Sequence, residues 1–298
     1  MQPKTTKTFC RICVAFCGLE VETNDSTITR IRPDKDNPYN WRDFCLKGGS
    51  ANKIRDHEKR LKTPMKRVGD KYVAVSYEQA IKEIGAQLNQ VRQQYGAKAI
   101  GTYSGNPGMM NTTSYMFQSG FLGGLKNTNN YSAVSVDTSN LHLASKQMYG
   151  CELALLIPDV DDAKCFLLIG TNPAVSTMGW LSNVPDGWNR VLAAQKNGAD
   201  LIVVDPRQTA TTKKANTHLY VQPGEDWALL LGIIKVIFAN RWEHTQDCAE
   251  ATGIEQLKAM AAQASLSDLS QRCGIDTNAI ENVAERFAKA ETGFCLAH

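Results

Sequence analysis

The stretch Phe9-Cys10-Arg11-Ile12-Cys13-Val14-Ala15-Phe16-Cys17 holds three of the nine cysteines of this 298-residue chain. A fourth follows in Phe44-Cys45-Leu46-Lys47-Gly48-Gly49, so the spacing is C-x2-C-x3-C-x27-C, with no histidine among the four. Three thiolates on one tight loop, joined by one from farther along the chain, are typical of the ligands of an iron-sulfur cube. The spacing therefore predicts a [4Fe-4S] cluster bound by Cys10, Cys13, Cys17 and Cys45.

Two other interpretations of these cysteines are weaker. A closed four-cysteine zinc site more usually shows two C-x2-C pairs, and Cys17 and Cys45 form no second pair. Two disulfides are the other alternative, but no secretory signal is evident before Cys10 and the remaining cysteines are scattered singly. The cluster is favoured over both.

The segment between Cys17 and Cys45 predicts a β-hairpin. Residues 18–23 and 27–32 alternate in polarity around an Asn24-Asp25-Ser26 turn. Such a hairpin would fold the fourth cysteine back onto the first three. Lys47 then comes two residues after Cys45. It is either a cation beside the cluster, able to bridge toward a second cofactor, or an ordinary solvated lysine.

Composition and charge argue against two classes of function, nucleic-acid binding and membrane spanning. The chain is 43% hydrophobic with a net charge of +3, so it can bury a core and offers no strongly basic surface for nucleic acid. No apolar run approaches the ~20 residues of a membrane span. Residues 1–8 show no apolar targeting core, so we expect a cytoplasmic, reducing location that keeps thiolates free for iron.

The second half predicts a parallel sheet covered by helices. Strand patterns at 164–169 and 201–204 alternate with helix patterns at 187–196 and 227–240. The two strands run into Gly170-Thr171-Asn172-Pro173 and Asp205-Pro206-Arg207, the kind of strand ends that hold nucleotides in doubly wound folds. No G-x-G-x-x-G occurs, which disfavours a plain nicotinamide-binding domain. An earlier strand at 99–103 ends at a loop containing Asn106, either a ligand contact or a plain turn residue.

Taken together, the C-x2-C-x3-C loop, the hairpin, the Cys45-Leu46-Lys47-Gly48 turn and the two later strand ends resemble the molybdopterin (bis-molybdopterin guanine dinucleotide) oxidoreductases. This is the family of formate dehydrogenases, periplasmic nitrate reductases and dimethyl sulfoxide reductases. The resemblance implies an α/β chain with a small N-terminal iron-sulfur β-hairpin domain, followed by doubly wound parallel-sheet domains. The implied divisions are a [4Fe-4S] domain at 1–62, a pterin-contacting domain at 63–150 and a dinucleotide-binding domain at 151–298. Members are normally more than twice as long, so we expect the last domain to be incomplete at its C-terminus.

The resemblance also implies cofactors, partners and site residues. The cofactors are the [4Fe-4S] cluster and molybdenum or tungsten held by bis-molybdopterin guanine dinucleotide. The substrate would be a small molecule such as formate, nitrate or an S- or N-oxide, with an electron-transfer protein as partner. Lys47 would relay electrons between the two cofactors, and Asn106 would touch the pterin. The implied guanine dinucleotide contacts are Gly170, Asn172, Asp205, Arg207, Gly224 and Asp226. Each also has a structural explanation, such as a tight turn for Gly170 or a helix-terminal charge for Asp226.

One position departs from the family pattern. The segment 135–150 resembles the one that delivers a cysteine, selenocysteine or serine ligand to the metal, often followed three residues later by proline or serine. Aligning Ser145 with that later residue puts His142 at the ligand position. His142 could then be a metal ligand, an acid or base near a metal without a protein ligand, or a structural histidine. Ser139, Ser145 and Cys151 are lesser ligand candidates.

Three functions remain open at this point. The first is a redox enzyme that moves electrons between a metal-pterin centre and the cluster. The second is a non-catalytic electron-carrying subunit that lacks the metal pterin, as in the large iron-sulfur subunit of respiratory complex I. Bound pterin would distinguish these two. A zinc-binding interaction module is a third, which the absence of iron and labile sulfide would favour.

Overall fold

The computed structural model describes residues 4–41, 44–152, 154, 157–176 and 184–297. The chain forms two compact units, Met1–Leu155 and Leu156–His298. The predicted division into three domains, at 1–62, 63–150 and 151–298, remains a prediction. Among the residues described, no helix combines the length and the apolarity needed to cross a membrane.

The first unit begins with a three-stranded antiparallel sheet. Its strands are β1 (Lys4–Phe9), β2 (Gly18–Asn24) and β3 (Thr27–Pro33), in the order β1-β2-β3. The predicted hairpin is therefore confirmed as β2 and β3, and Asp25 takes the positive φ of 53° that its tight turn requires. β1 was not predicted. Because Phe9 pairs with Gly18, the residues between them close as a loop at one end of the sheet.

The rest of the first unit is made of short elements and one long helix. The elements are α1 (Leu46–Gly49), α2 (Ala51–Arg55), β4 (Met65–Val68), β5 (Lys71–Ala74), α3 (Tyr77–Tyr95), β6 (Thr102–Ser104), α4 (Asn106–Met109), α5 (Thr112–Gly124), β7 (Asn130–Ser132), α6 (Val134–Asp137) and α7 (Ser139–Tyr149). β4 pairs antiparallel with β5, and β6 pairs in parallel with β7. The strongly charged stretch 52–71 is the kind of sequence that predicts a surface connector, yet it contains most of α2 and all of β4.

Helix α3 begins and ends where the sequence signals indicate. The Ser76 hydroxyl accepts the backbone N–H of Gln79 at 3.1 Å, and Gly96 ends the helix with a φ of 82°. Its apolar residues recur at helical spacing, yet none of them is buried within the part of the chain that the structure describes.

The second unit is built on a four-stranded, fully parallel sheet. The elements are β8 (Cys165–Ile169), α8 (Gly187–Lys196), β9 (Asp200–Val204), β10 (Thr217–Leu219), α9 (Asp226–Asn240), α10 (Thr245–Glu250), α11 (Ile254–Gln263), α12 (Leu266–Cys273), α13 (Thr277–Ala288) and β11 (Gly293–Ala297). The strand order is β10-β9-β8-β11, which confirms the predicted parallel α/β fold. The three-residue strand β10 was not predicted.

Helices cover both faces of this sheet. Alternate residues of β8 and β9 enter two different cores, because successive side chains of a strand point to opposite faces. Leu167 and Ile202 pack with residues of α9, α12 and α13, whereas Phe166 and Leu201 pack with Val191 of α8. The sheet is therefore doubly wound. β9 and β11 flank β8, so the direction of the strand order reverses beside β8. In sheets of this type, ligands bind at such a reversal, outside the carboxyl ends of the strands.

Candidate functional site

The first unit presents the four predicted cluster cysteines from one loop and one helix start. The backbone N–H of Cys10 donates to the carbonyl of Cys17 at 2.8 Å and closes the loop, and Phe16 turns the chain with a φ of 44°. Cys10 and Cys17 are buried, Cys13 is partly buried, and none of the three is in a disulfide. The loop therefore offers reduced thiols, the ligand type that iron-sulfur clusters use.

Cys45 joins this group from the start of α1. Its carbonyl accepts the N–H of Gly49 at 3.2 Å. Burial raises the pKa of the Cys10 thiol, the backbone N–H of Ile12 lowers it by a hydrogen bond, and the nearby charges of Cys13 and Cys45 raise it further. Phe44, the residue before Cys45, packs against Cys10 and Cys17, so the chain returns to the first loop at the fourth cysteine, as the predicted hairpin requires.

Apolar and polar neighbours fix the loop. Phe44 packs against Cys10 and Cys17, and a Cβ on Gly48 would lie 2.6 Å from the Phe44 ring, so the close approach of α1 requires glycine there. The buried Asn40 accepts the Gly18 N–H through Oδ1 at 2.7 Å. The sequence did not reveal this role of Asn40, which lies 22 residues from Gly18.

The donor set fits an iron-sulfur cluster by its chemistry, because it consists of four thiols and no histidine. A [4Fe-4S] cluster binds each of its four thiolates at a different iron atom. Lys47 lies on α1, two residues after Cys45, and is exposed.

His142 lies on α7 with one ring nitrogen engaged. Its Nδ1 is 2.8 Å from the backbone carbonyl oxygen of Glu152. A carbonyl oxygen only accepts, so the neutral ring carries its proton on Nδ1 and its lone pair on Nε2. Nε2 is therefore the nitrogen able to bind a metal or take up a proton.

The lesser ligand candidates near His142 have structural partners. The buried Ser145 donates through Oγ to the Cys151 carbonyl at 2.8 Å, and Ser139 donates to the Ser135 carbonyl at 3.0 Å. Lys146 pairs with the Glu152 carboxylate at 2.8 Å. Three α7 side chains, His142, Ser145 and Lys146, thus hold the segment that follows the helix, while Cys151 is exposed.

Asn106 is the first residue of the four-residue helix α4 and is exposed. The predicted loop after β6 is thus a short helix instead. Asn106 remains a predicted pterin contact.

In the second unit, the strand ends meet at one edge of the sheet. Gly170 has a φ of 66°, and its N–H donates to the Val204 carbonyl at 2.9 Å. The N–H of Asp205 donates to the Leu219 carbonyl at 3.1 Å, and Asp205 Oδ1 accepts the Arg207 N–H at 2.8 Å. The residues predicted from the ends of β8 and β9 therefore lie on adjacent strand ends.

Of two further features of this unit, one was predicted and the other was not. Gly224 turns with a φ of 86° and Asp226 opens α9, as expected for a turn before a helix. Thr211 was not predicted: it is fully buried and donates through Oγ1 to Asn172 Oδ1 at 2.7 Å. The threonine-rich run 209–212, which begins two residues after Arg207, was the available signal.

These groups fit a guanine dinucleotide by their chemistry. Asn172 and Arg207 supply N–H donors for phosphate or carbonyl oxygens, and Asp205 keeps a carboxylate oxygen besides the one bound to Arg207. The Glu225 Oε2 atom is buried and has no hydrogen-bond partner among the residues described. Glycine turns at Gly170 and Gly224 let the backbone approach a ligand closely.

Both units of the chain match known protein families. Residues 60–286 match the molybdopterin oxidoreductase family model, and residues 3–57 match the model of the molybdopterin oxidoreductase Fe4S4 domain. The assimilatory nitrate reductase catalytic subunit of Bacillus subtilis is 27% identical over 97% of this chain and 40% of its own length. The F420-dependent formate dehydrogenase 1 subunit alpha of Methanococcus maripaludis is 27% identical over 97% of this chain and 41% of its own length.

A solved structure is also similar. Acetylene hydratase from Pelobacter acetylenicus superposes with a TM-score of 0.77 and 26% identity, over 99% of this chain and 40% of the other. The chain thus spans about two fifths of the length of the relatives it matches. Because the family model matches most of the sequence, the chain belongs to the molybdopterin oxidoreductase family, whose cofactors are a [4Fe-4S] cluster and molybdenum or tungsten bound by bis-molybdopterin guanine dinucleotide.

Proposed function

We propose that this chain binds the [4Fe-4S] cluster and part of the pterin dinucleotide in a redox enzyme that acts on a small molecule. One observation carries the proposal. The same chain has four cysteines outside any disulfide and a parallel sheet with a carboxyl edge of the kind that binds nucleotides in doubly wound folds. When bound, the metal pterin exchanges electrons in pairs with the substrate, and the cluster passes them singly to a partner. Neither group alone supplies both steps.

The first unit would hold and shield the cluster. The thiols of Cys10, Cys13, Cys17 and Cys45 are its ligands, and the side chains of Ile12 and Phe44 pack beside them. An apolar wall lowers the local dielectric and limits access of water, which are two of the ways a protein tunes a cluster. Lys47 would place a positive charge within a side chain's reach of the cluster edge.

His142 would offer Nε2 to the metal. Histidines that bind metals almost always donate their other ring N–H to a carbonyl or carboxylate, which fixes the ring and its tautomer. The contact from Nδ1 to the Glu152 carbonyl is of this kind. A neutral nitrogen would replace an anionic sulfur or oxygen at this position and thereby change the electron density at the metal.

The second unit would bind one guanine dinucleotide. Gly170, Asn172, Asp205 and Arg207 are its proposed contacts at the strand ends, with Gly224 and Asp226 at the start of α9. Each lies where parallel sheets of this type bind nucleotides. In the first unit, Asn106 would contact a pterin.

The relatives suggest two of the proposed substrates. The proteins similar to this chain include a nitrate reductase, formate dehydrogenases and an acetylene hydratase. We propose formate or nitrate as substrate, or an S- or N-oxide as the wider family resemblance implies, and an electron-transfer protein as partner. Hydration of an alkyne would need no external electron donor or acceptor, so a requirement for one separates the two reaction classes.

The proposal is tested by elemental analysis of the anaerobically purified protein. Iron, sulfide, molybdenum, tungsten and released guanine nucleotide are measured together. Four iron atoms with stoichiometric molybdenum or tungsten support the redox enzyme. Four iron atoms with neither metal and no guanine nucleotide contradict it and indicate a non-catalytic electron carrier.

A further inference from the structure

A buried threonine connects two loops at the carboxyl edge of the second unit's sheet. Thr211 is 0% exposed. Its Oγ1 donates to Asn172 Oδ1 at 2.7 Å and accepts the backbone N–H of Ala174 at 3.1 Å. Thr211 thus bonds both to a side chain and to the backbone of the loop that follows β8, across 39 residues of sequence.

These bonds determine which way the Asn172 amide faces. The Ala174 N–H already occupies one lone pair of the hydroxyl, and the hydroxyl proton needs an acceptor. Asn172 Oδ1 is that acceptor. A flipped amide would leave a buried hydroxyl proton without a partner, which is unfavourable because the proton has already lost its bond to water. The amide nitrogen therefore faces away from Thr211, and within the described ranges it has no hydrogen-bond partner.

The turn that carries Thr211 is itself held firmly. The N–H of Thr209 donates to Thr212 Oγ1 at 2.7 Å, and the N–H of Thr212 donates to Thr209 Oγ1 at 3.1 Å. Both threonines are 5% exposed. This reciprocal bonding fixes the turn, so Thr211 has little freedom to follow a moving Asn172.

We propose that Thr211 is a positioning residue for the dinucleotide. It holds Asn172 with its carbonyl oxygen inward, so that the two Nδ2 hydrogens are available to a phosphate or carbonyl oxygen of the bound guanine dinucleotide. This inference rests on the proposed function, because it requires a nucleotide at this edge. Thr211 itself touches no ligand and acts through Asn172.

The test uses guanosine diphosphate as the probe and the full chain as the protein. Isothermal titration calorimetry gives the dissociation constant for wild type, Thr211→Val, Thr211→Cys and Thr211→Ser. Valine matches threonine in shape and lacks the donor, and we expect it to weaken binding by about five- to tenfold, the size of one misplaced hydrogen bond. Serine keeps the hydroxyl and should bind nearly as well as wild type.

Two controls separate positioning from a general loss of stability. Thr217→Val removes one hydrogen bond, to Arg286 at 2.8 Å, at the opposite end of the sheet, and should leave the dissociation constant unchanged. In the Asn172→Ala background, Thr211→Val should have no further effect on affinity, because the side chain that it orients is absent. If Thr211→Val fails to fold, Thr211→Cys takes its place with a weaker donor and an intermediate loss.

The outcomes distinguish the inference from the function on which it rests. Binding that is weakened by Asn172→Ala but not by Thr211→Val or Thr211→Cys overturns the inference alone. Equal losses from Thr211→Val in the wild-type and Asn172→Ala backgrounds also overturn it. Two results would refute the proposed dinucleotide site and the inference together. One is that the wild-type chain does not bind guanosine diphosphate, and the other is that Asn172→Ala binds it with the same dissociation constant as wild type.

Discussion

Arg286 of α13 binds Asp200 at the start of β9 through two guanidinium nitrogens. Its Nε donates to Asp200 Oδ2 at 2.7 Å and its Nη2 to Asp200 Oδ1 at 2.5 Å, and both side chains are about two thirds or more buried. A two-point pair of this kind fixes geometry as well as charge. It ties the last helix of the second unit to the central sheet, across 86 residues of sequence.

Breaking this pair should destabilise the second unit. Arg286→Gln leaves the Asp200 carboxylate partly buried without its partner, and we expect a loss of about 2–4 kcal/mol in the free energy of unfolding. Lys289→Gln is the matched control, because its pair with Glu285 is half exposed and should be worth no more than about 0.5 kcal/mol. Urea unfolding followed by circular dichroism measures both. Equal losses in the two variants would show that the Asp200 pair is no stronger than a surface pair.

Replacing a cluster thiol should remove the cluster. Cys13→Ser exchanges a soft thiolate for a hard oxygen, so iron content and the low-temperature spin-resonance signal of the reduced protein should fall sharply. Cys248→Ser, in the second unit, should leave both unchanged. An unaltered signal in Cys13→Ser would refute the assignment of that residue as a ligand.

A charge beside the cluster should change its reduction potential. The reduced cluster is the more negative form, so a cation at Lys47 stabilises it. Lys47→Met is therefore expected to assemble the cluster normally but to lower its midpoint potential, measured by potentiometric titration. Lys53→Met on α2 removes another exposed charge, eight residues after Cys45, and should have a smaller effect. Identical potentials for wild type and Lys47→Met would argue against any electrostatic role of Lys47 toward the cluster.

Burial protects Cys165 from alkylation. The pKa of its thiol is raised from 9.0 to about 12, mainly by desolvation; the charge of Asp200 contributes to this rise, and the charge of Arg286 opposes it. The reactive thiolate is thus suppressed at pH 8, so iodoacetamide should label the exposed Cys151 first and Cys165 only after unfolding. Peptide mass spectrometry measures the order in which the two cysteines are labelled. Prompt labelling of Cys165 in the folded protein would contradict this prediction.

The same pKa makes stability fall at high pH. Below pH 9.0, both the folded and the unfolded Cys165 thiols keep their protons. Above it the unfolded thiol ionises first, so the free energy of unfolding should decline toward pH 12, by at most about 1.4 kcal/mol per pH unit for this group. Cys165→Ala should flatten that decline. A slope unchanged by the substitution would exclude Cys165 as its cause.

The sequence predicted elements whose signals are local. The alternation around the Asn24-Asp25-Ser26 turn predicted β2 and β3, and the apolar runs of β8 and β9 predicted the parallel sheet. β1 was missed because Lys4–Phe9 alternates without a clear apolar face, and β10 because it has only three residues. The bonds of Asn40 to Gly18 and of Thr211 to Asn172 could not be predicted, since they join residues 22 and 39 positions apart.

The bond from Gly18 to Asn40 also couples the cysteine loop to the sheet. The Cys10 to Cys17 backbone bond closes the loop, and the Asn40 side chain holds Gly18 at the start of β2. A change that loosens the start of β2 would therefore displace Cys17, although no cluster ligand had been replaced.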